Sequence, residues 1–309
     1  MFTIFFNSLS FQSGRYDVMF GVVKSLNRKA KPVDSMFKNL KAPEIAEQIC
    51  LLDQSLFKNI SSIEFLNQIW NNPEEQEYHS PNLAFFIQRF ERESYWVATE
   101  ICAVSDLTKR INFLKKFIEL LKELLDRNNL FSVFSLLAGL NLTPIQRLKK
   151  TWAGIGKVHQ KLHADIEKLS DPSKNMQAYR TRISNASPPV IPFLRESSFF
   201  FFFFLSFLFF YFIFLRDHVF QSLRLFSLAI FLKDMIFFND GNPSRVQGNL
   251  INIEKLRMMT DQIKSMTLMA HTPYRYQEDN AIRNYLQNPR IEGLKTLIEM
   301  SDVLEPRHK

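Results

Sequence analysis

A chain of 309 residues with 46% apolar residues is long enough for one large domain or two small ones around a packed core. Its net charge of +8 favours an acidic partner, such as an anionic membrane face or an acidic protein surface, but the basic residues are spread out, as in Lys115-Lys116 and Lys149-Lys150, with none of the tail-like blocks of a nucleic-acid binder. Two cysteines and six scattered histidines make neither a disulfide framework nor a zinc spacing, and eight glycines form no phosphate-type loop, which argues against a metal enzyme or a nucleotide-binding α/β domain.

In chain order, the opening string MFTIFFNSLSF is apolar but lacks a basic n-region, so it does not read as a secretory signal. Residues 1–35 have weak periodicity and read as a leader or the remnant of an upstream element. A break falls at Pro73. A helix is expected over roughly Leu83 to Val104, with Phe86, Phe90, Val97 and Ile101 on one side. The clearest helix runs from about Asp106 to Asp126: Leu107, Ile111, Leu114, Ile118, Leu121 and Leu125 recur in steps of four and three, and Asp106 is placed to cap the start. Asn128-Asn129 breaks the pattern. The next helix turns Val133, Leu136, Leu137 and Leu140 inward and ends before Thr143-Pro144. Further breaks fall at Asp171-Pro172 and Ser187-Pro188-Pro189. The stretch Phe199–Leu215 is apolar except for Ser206, at the short end for a membrane span. Late in the chain Ile253, Leu256, Met259, Ile263 and Met266 repeat at helical spacing. Each stripe reads as core packing, and Cys50 and Cys102 as buried thiols of a reducing compartment. No useful alternating strand pattern occurs.

Several strings, taken in order, carry a resemblance. They are Pro43-Glu44-Ile45-Ala46-Glu47-Gln48, Ser80-Pro81-Asn82-Leu83, FLKKFI over Phe113–Ile118, Leu140-Asn141 with Arg147-Leu148, Pro188-Pro189-Val190-Ile191-Pro192-Phe193, Asp240-Gly241-Asn242-Pro243, NLINIEKLR over Asn249–Arg257, and Leu304-Glu305-Pro306-Arg307. From about Met36 to the end, the chain resembles the catalytic domain of Ras-family guanine-nucleotide exchange factors. Tyr95 to Glu100, Asp171 to Met176 and Glu254 to Met258 look most like the factors acting on Rap GTPases. The resemblance implies an all-α, bowl-shaped domain over 36–309 with a protruding helical hairpin. It implies promotion of GDP release from a small Ras-family GTPase, Rap or Ras, without covalent chemistry and without a cofactor. It also implies a cytoplasmic protein; the charge allows recruitment to an anionic membrane surface.

The site residues follow from the same resemblance. Ile236 would block the GTPase's magnesium position, and Asp240 would compete for groups that hold phosphate. Read from residues alone, Ile236 is ordinary core and Asp240 a turn residue before Gly241; their spacing of four puts them on one side of a helix. Ile87, Phe134 and Asn141 would dock the other switch segment, with Ser80 and Asn82 shaping the site. Gln88 stands where many family members carry Arg, with Arg89 next, which puts one expected ion pair in doubt. Phe193 would pack at the base of the hairpin. A catalytically impaired GTPase-binding module and a membrane-anchored protein are the alternatives.

Two departures accompany the resemblance. The separate helical module that usually braces the hairpin has no counterpart before Met36. The chain also leaves the family pattern after Leu194 and rejoins it near Ile230. That insert, 195–229, reads in three ways: a membrane segment, a low-complexity loop, or untranslated sequence carried into a gene model. The third is favoured, because Phe, Leu, Ser, Ile and Tyr share T-rich codons. Arg195-Glu196-Ser197 can encode a splice-donor pattern and Leu228-Ala229 an acceptor, and Phe11-Gln12 can encode a second acceptor, which would make 1–12 spurious. An insert at the foot of the hairpin is expected to unhitch Ile236 and Asp240 from their anchor.

Overall fold

The computed structural model describes residues 36–66, 78–171, 173–193 and 230–306. The leader, the Pro73 break, the Phe199–Leu215 stretch and the whole of 195–229 lie outside them.

Twelve α-helices occur among the described residues: α1 (Ala42–Lys58), α2 (Pro81–Cys102), α3 (Leu107–Asp126), α4 (Leu130–Leu140), α5 (Thr143–Gln146), α6 (Lys149–Ala153), α7 (Gly156–Glu167), α8 (Ser173–Ser184), α9 (Ile230–Gly241), α10 (Ile253–His271), α11 (Asn280–Gln287) and α12 (Leu294–Leu304). Among the described residues one antiparallel pair occurs, β1 (Arg245–Val246) and β2 (Leu250–Ile251), with Arg245 opposite Ile251 and Val246 opposite Leu250. The fold is all-α.

Local chemistry sets the helix ends. The Asp106 carboxylate accepts the Lys109 N–H at 2.8 Å and starts α3 where the apolar stripe begins. The break at Asn128-Asn129 divides the work between its two residues. Asn128 takes a left-handed φ of 56°, which ends α3, and the Asn129 side chain accepts the Ser132 N–H at 3.1 Å, which starts α4. The strand-like segment before Phe193 is stitched to this turn: Ile191 N–H donates to Asn128 O, and Leu130 N–H donates to Ile191 O.

Helices α1 to α4 form the body, with α2 packed against α4, α1 and α3. The core of α3 is wider than its stripe, since Phe113, Phe117, Leu120 and Leu124 are buried beside Leu114, Ile118 and Leu121, whereas Leu107 is exposed. Phe117 stacks on Phe37 at 4.2 Å, and Phe86 stacks on Phe131 at 4.1 Å. Gly139 lets α4 cross α2 closely: a Cβ there would sit 2.5 Å from the Ser94 carbonyl oxygen. Both cysteines are buried and free, and burial pushes the Cys102 thiol up to about 12.

The C-terminal helix closes the other side of the body. The Glu305 carboxylate accepts the Lys150 and Thr151 N–H groups, each at 3.0 Å, capping α6, while Arg147 pairs with Asp302 at 2.7 Å. The strings at Arg147-Leu148 and Leu304-Glu305 are therefore two halves of one contact. Among the described residues no helix is long and apolar enough to cross a membrane.

Candidate functional site

Two surfaces carry the residues singled out from the sequence. The first is the face of α2 and α4. Its start is fixed by Glu64, a residue the sequence reading passed over. One Glu64 oxygen accepts the Asn82 side-chain N–H at 2.9 Å, the other accepts the Leu83 backbone N–H at 2.9 Å, and Ser80 Oγ donates to the Glu64 carbonyl at 3.2 Å. A carboxylate on a preceding turn thus caps α2 from outside. Ser80 and Asn82 shape this end. A signal was present: Ser61 and Glu64 form a capping box, with Ser61 N–H donating to Glu64 Oε1.

Further along α2, Ile87 and Gln88 are half-buried. Arg89 does not take over a surface role from Gln88. It turns inward, donating from Nε to Asp53 Oδ1 at 2.5 Å and from Nη2 to Glu93 at 2.7 Å. Asp53 Oδ2 also accepts Asn129 Nδ2 at 2.7 Å and Ser132 Oγ at 2.5 Å. Glu93 Oε2 is reached by Ser132 Oγ at 2.9 Å and by Ser135 Oγ. All of these side chains are buried. Two carboxylates and one guanidinium would leave a buried net negative charge, and Ser132 has one hydroxyl proton for two carboxylates. A neutral Glu93 resolves both. Burial raises its pKa to about 7, with Asp53 adding to the rise and Arg89 opposing it.

On α4, Phe134 is buried. Its ring stacks on Phe193 at 4.7 Å and meets Tyr179 edge-on at 5.6 Å. Phe193 also packs on Phe90, and its N–H donates to the Tyr179 hydroxyl at 3.1 Å. Phe193 therefore joins α2, α4 and α8. Asn141 ends α4, half-buried, accepting a hydrogen bond from Gln146 at 3.0 Å.

The second surface is the hairpin of α9 and α10, which pack on each other and are joined by the β1–β2 turn. The base of α9 packs into the core. Phe231, Leu232 and Met235 are in the core, and Phe231 meets Phe65 edge-on at 5.2 Å. Arg180 holds Asp234 through two bonds of 2.9 and 2.8 Å. At the far end Lys255, itself buried, donates to Asn239 O and Ser244 Oγ, Asn252 caps α10, and Asn252 Nδ2 donates to Pro243 O. Ile236 is half-buried against the core; Asp240, one turn on, is exposed. Phe237 is 68% exposed between them.

The late apolar stripe departs from the core-packing expectation. Met259 and Met266 are buried, but Ile253 and Leu256 are exposed, as are Val246, Leu250 and Ile251. The hairpin end therefore presents apolar side chains to solvent. Among the described residues no three His, Cys, Asp or Glu side chains gather as a metal site requires. A surface concavity of about 270 Å³ between residues 57–65 and the end of α10 is lined by Phe65 and Met266 but by none of Ile87, Gln88, Asn141, Ile236 or Asp240.

Residues 44–201 match the RasGEF domain family. The chain belongs to that family. Rap guanine nucleotide exchange factor 3 of Homo sapiens is 33% identical over 220 residues, 71% of this chain and 20% of that protein. Rap guanine nucleotide exchange factor 5 of Homo sapiens is 30% identical over 270 residues, 85% of this chain and 40% of that protein. Ras guanine nucleotide exchange factor P of Dictyostelium discoideum is 28% identical over 272 residues, 88% of this chain and 16% of that protein. The chain thus spans between a sixth and two fifths of these relatives' lengths. The RasGEF match ends within the Phe-rich stretch, and Ile236 and Asp240 lie beyond it.

Proposed function

We propose that residues 36–309 form the catalytic unit of a guanine-nucleotide exchange factor, with 1–35 belonging to an upstream element and 195–229 an insertion. The unit promotes GDP release from a small GTPase of the Ras family. A Rap-like GTPase is favoured, in keeping with the names of two of the relatives and the Rap-type strings at Tyr95–Glu100 and Glu254–Met258. The observation that carries this reading is the hairpin: anchored by Phe231, Leu232 and Met235, it holds Ile236 and exposed Asp240 one turn apart on α9.

The chemistry breaks no covalent bond. Picomolar nucleotide binding corresponds to about 16 kcal/mol, so unaided release is slow. A catalyst must bind the nucleotide-free GTPase more tightly than the loaded one, and by linkage the two ligands then weaken each other. An apolar Ile236 brought to the magnesium position supplies no oxygen ligand. A carboxylate such as Asp240 can occupy an N–H nest built for phosphate. The α2–α4 face, stiffened by the Arg89 cluster, would hold the second switch segment at Ile87, Gln88 and Asn141. Ser80 and Asn82 set its edge, and Phe134 and Phe193 support it from below.

The test is release of a fluorescent GDP analogue from purified Rap and Ras, using the full chain, its Asp240→Ala variant, and a version in which 195–229 is replaced by one proline. Acceleration that falls about tenfold or more with Asp240→Ala supports the reading, a loss typical of removing one charged contact to a transition state. Tight binding with no acceleration by any version would leave a GTPase-binding module. Release as fast with Asp240→Ala as without it would overturn the assigned role.

A further inference from the structure

We propose that Arg180 is a positioning residue that sets the angle at which the hairpin leaves the domain, and that α8 is the strut linking the hairpin to the α2–α4 face. The inference rests on the exchange-factor reading for its consequence, though not for its geometry.

The guanidinium makes three bonds to two separate segments. Nη1 and Nη2 donate to the two oxygens of Asp234 at 2.9 and 2.8 Å, a bidentate pair that fixes direction as well as distance. Nε donates to the Asn175 carbonyl at 3.0 Å. Asn175 lies in the middle of three consecutive left-handed residues, Lys174, Asn175 and Met176, with φ of 50°, 56° and 58°. Side chains other than glycine adopt such a run only when something outside holds it, and Met176 is buried there. Arg180 thus braces the strained turn with one nitrogen and grips the hairpin helix with the other two.

Its neighbours on α8 reach the other way. The Tyr179 hydroxyl accepts the Phe193 N–H, and its ring lies edge-on to Phe134. Arg182 donates to the Leu125 carbonyl at 2.8 Å and to Asn128 Oδ1 at 3.0 Å, at the turn between α3 and α4. Tyr179, Arg180 and Arg182, within four residues of one short helix, therefore hold the α2–α4 face and the hairpin. Asp234 is two residues from Ile236 and six from Asp240, so a small change of angle at Asp234 is enlarged at the end of the hairpin. The Arg180 and Asp234 side chains are 36% and 23% exposed. An ion pair that open adds little to global stability, so its main effect is on direction.

The experiment uses the full chain with Arg180→Gln, Asp234→Asn and the reversed pair Arg180→Asp with Asp234→Arg. Two readouts are taken: amide hydrogen exchange over residues 230–241, and fluorescent-GDP release at varied GTPase concentration. The expected result is a loss of about three- to tenfold in protection confined to 230–241 and 173–184, with the melting temperature nearly unchanged. The maximal release rate falls while the half-saturating GTPase concentration stays put, and the reversed pair restores part of both. Unchanged protection in Arg180→Gln overturns the proposal. Protection lost evenly across α1–α4 also overturns it, because Arg180 would then be a general stabilising residue. If the unmodified chain releases GDP from no GTPase, the exchange-factor reading fails, and the protection data alone decide whether Arg180 sets the hairpin.

Discussion

The α2–α4 face and the α9–α10 hairpin are built on opposite plans. Beneath the face, Asp53, Arg89, Glu93, Asn129, Ser132 and Ser135 are polar, buried and bonded to one another. On the hairpin, Phe237, Val246, Leu250, Ile251, Ile253 and Leu256 are apolar and face water. A buried polar network with its partners in place favours one arrangement of the helices that share it. An exposed apolar cluster does the reverse and keeps its contact area for another molecule. The body is thus organised for fixed shape, while the hairpin keeps apolar area uncovered.

The strongest way to break this contrast is to remove the cation from the network. Arg89→Met would leave the buried Asp53 carboxylate without its counter-charge, beside a neutral Glu93. A loss of about 3–5 kcal/mol is expected, the range for an orphaned buried charge. Urea unfolding at neutral pH measures it. A loss below about 1 kcal/mol would mean that solvent reaches the cluster and that the network does not hold the face rigid.

A second, smaller effect tests the proton assigned to Glu93. Burial raises its folded-state pKa to about 7, above the ordinary carboxylate range. Between the unfolded value, near 4.3, and about 7, the folded protein holds a proton that the unfolded chain has lost. Stability contributed by this group is therefore full at the acidic end of that window and falls as pH rises through 7. His163 acts oppositely: burial lowers its pKa, so it costs stability as pH falls. The comparison must therefore be between the chain and Glu93→Gln, at pH 5.5 and 7.5. The unmodified chain should gain on the order of 1 kcal/mol relative to the variant on acidification. Parallel pH profiles would show that Glu93 is ionised throughout.

The two regions were also unequally legible. Helices α3 and α4 could be placed to within a few residues because their signals are local: Asp106 and Asn129 cap by side chains three residues from their targets. The cluster under the face was not read. Asp53 and Arg89 lie 36 residues apart, and charged residues on a helix ordinarily face solvent; only the i,i+4 spacing of Arg89 and Glu93 hinted at a pair. The packing of Phe134 is likewise not local, since it depends on Phe193 and Tyr179 arriving from later in the chain. The α10 stripe misled in the other direction. Periodicity put Ile253 and Leu256 on the same face as Met259 and Met266, which is correct for the helix, but it carries no information on where the covering partner ends.

That uncovered end supplies the smallest stability effect and the sharpest functional contrast. Phe237 and Leu250 are 68% and 66% exposed, so replacing either by Ser removes little buried apolar area. Each change should move the unfolding free energy by less than about 0.5 kcal/mol, as surface substitutions usually do. If the apolar end instead meets the GTPase, the same changes should weaken binding to the nucleotide-free GTPase by about five- to thirtyfold, the loss expected when an anchoring side chain is truncated at an interface. Calorimetric unfolding and a pull-down titration with nucleotide-free Rap separate the two quantities. A stability loss of about 2 kcal/mol or more would place these residues in the folding core and erase the distinction between the two regions. Unchanged stability together with unchanged binding would leave the exposed patch to some other partner, and the hairpin's contact with the GTPase would then have to run through Ile236 and Asp240 alone.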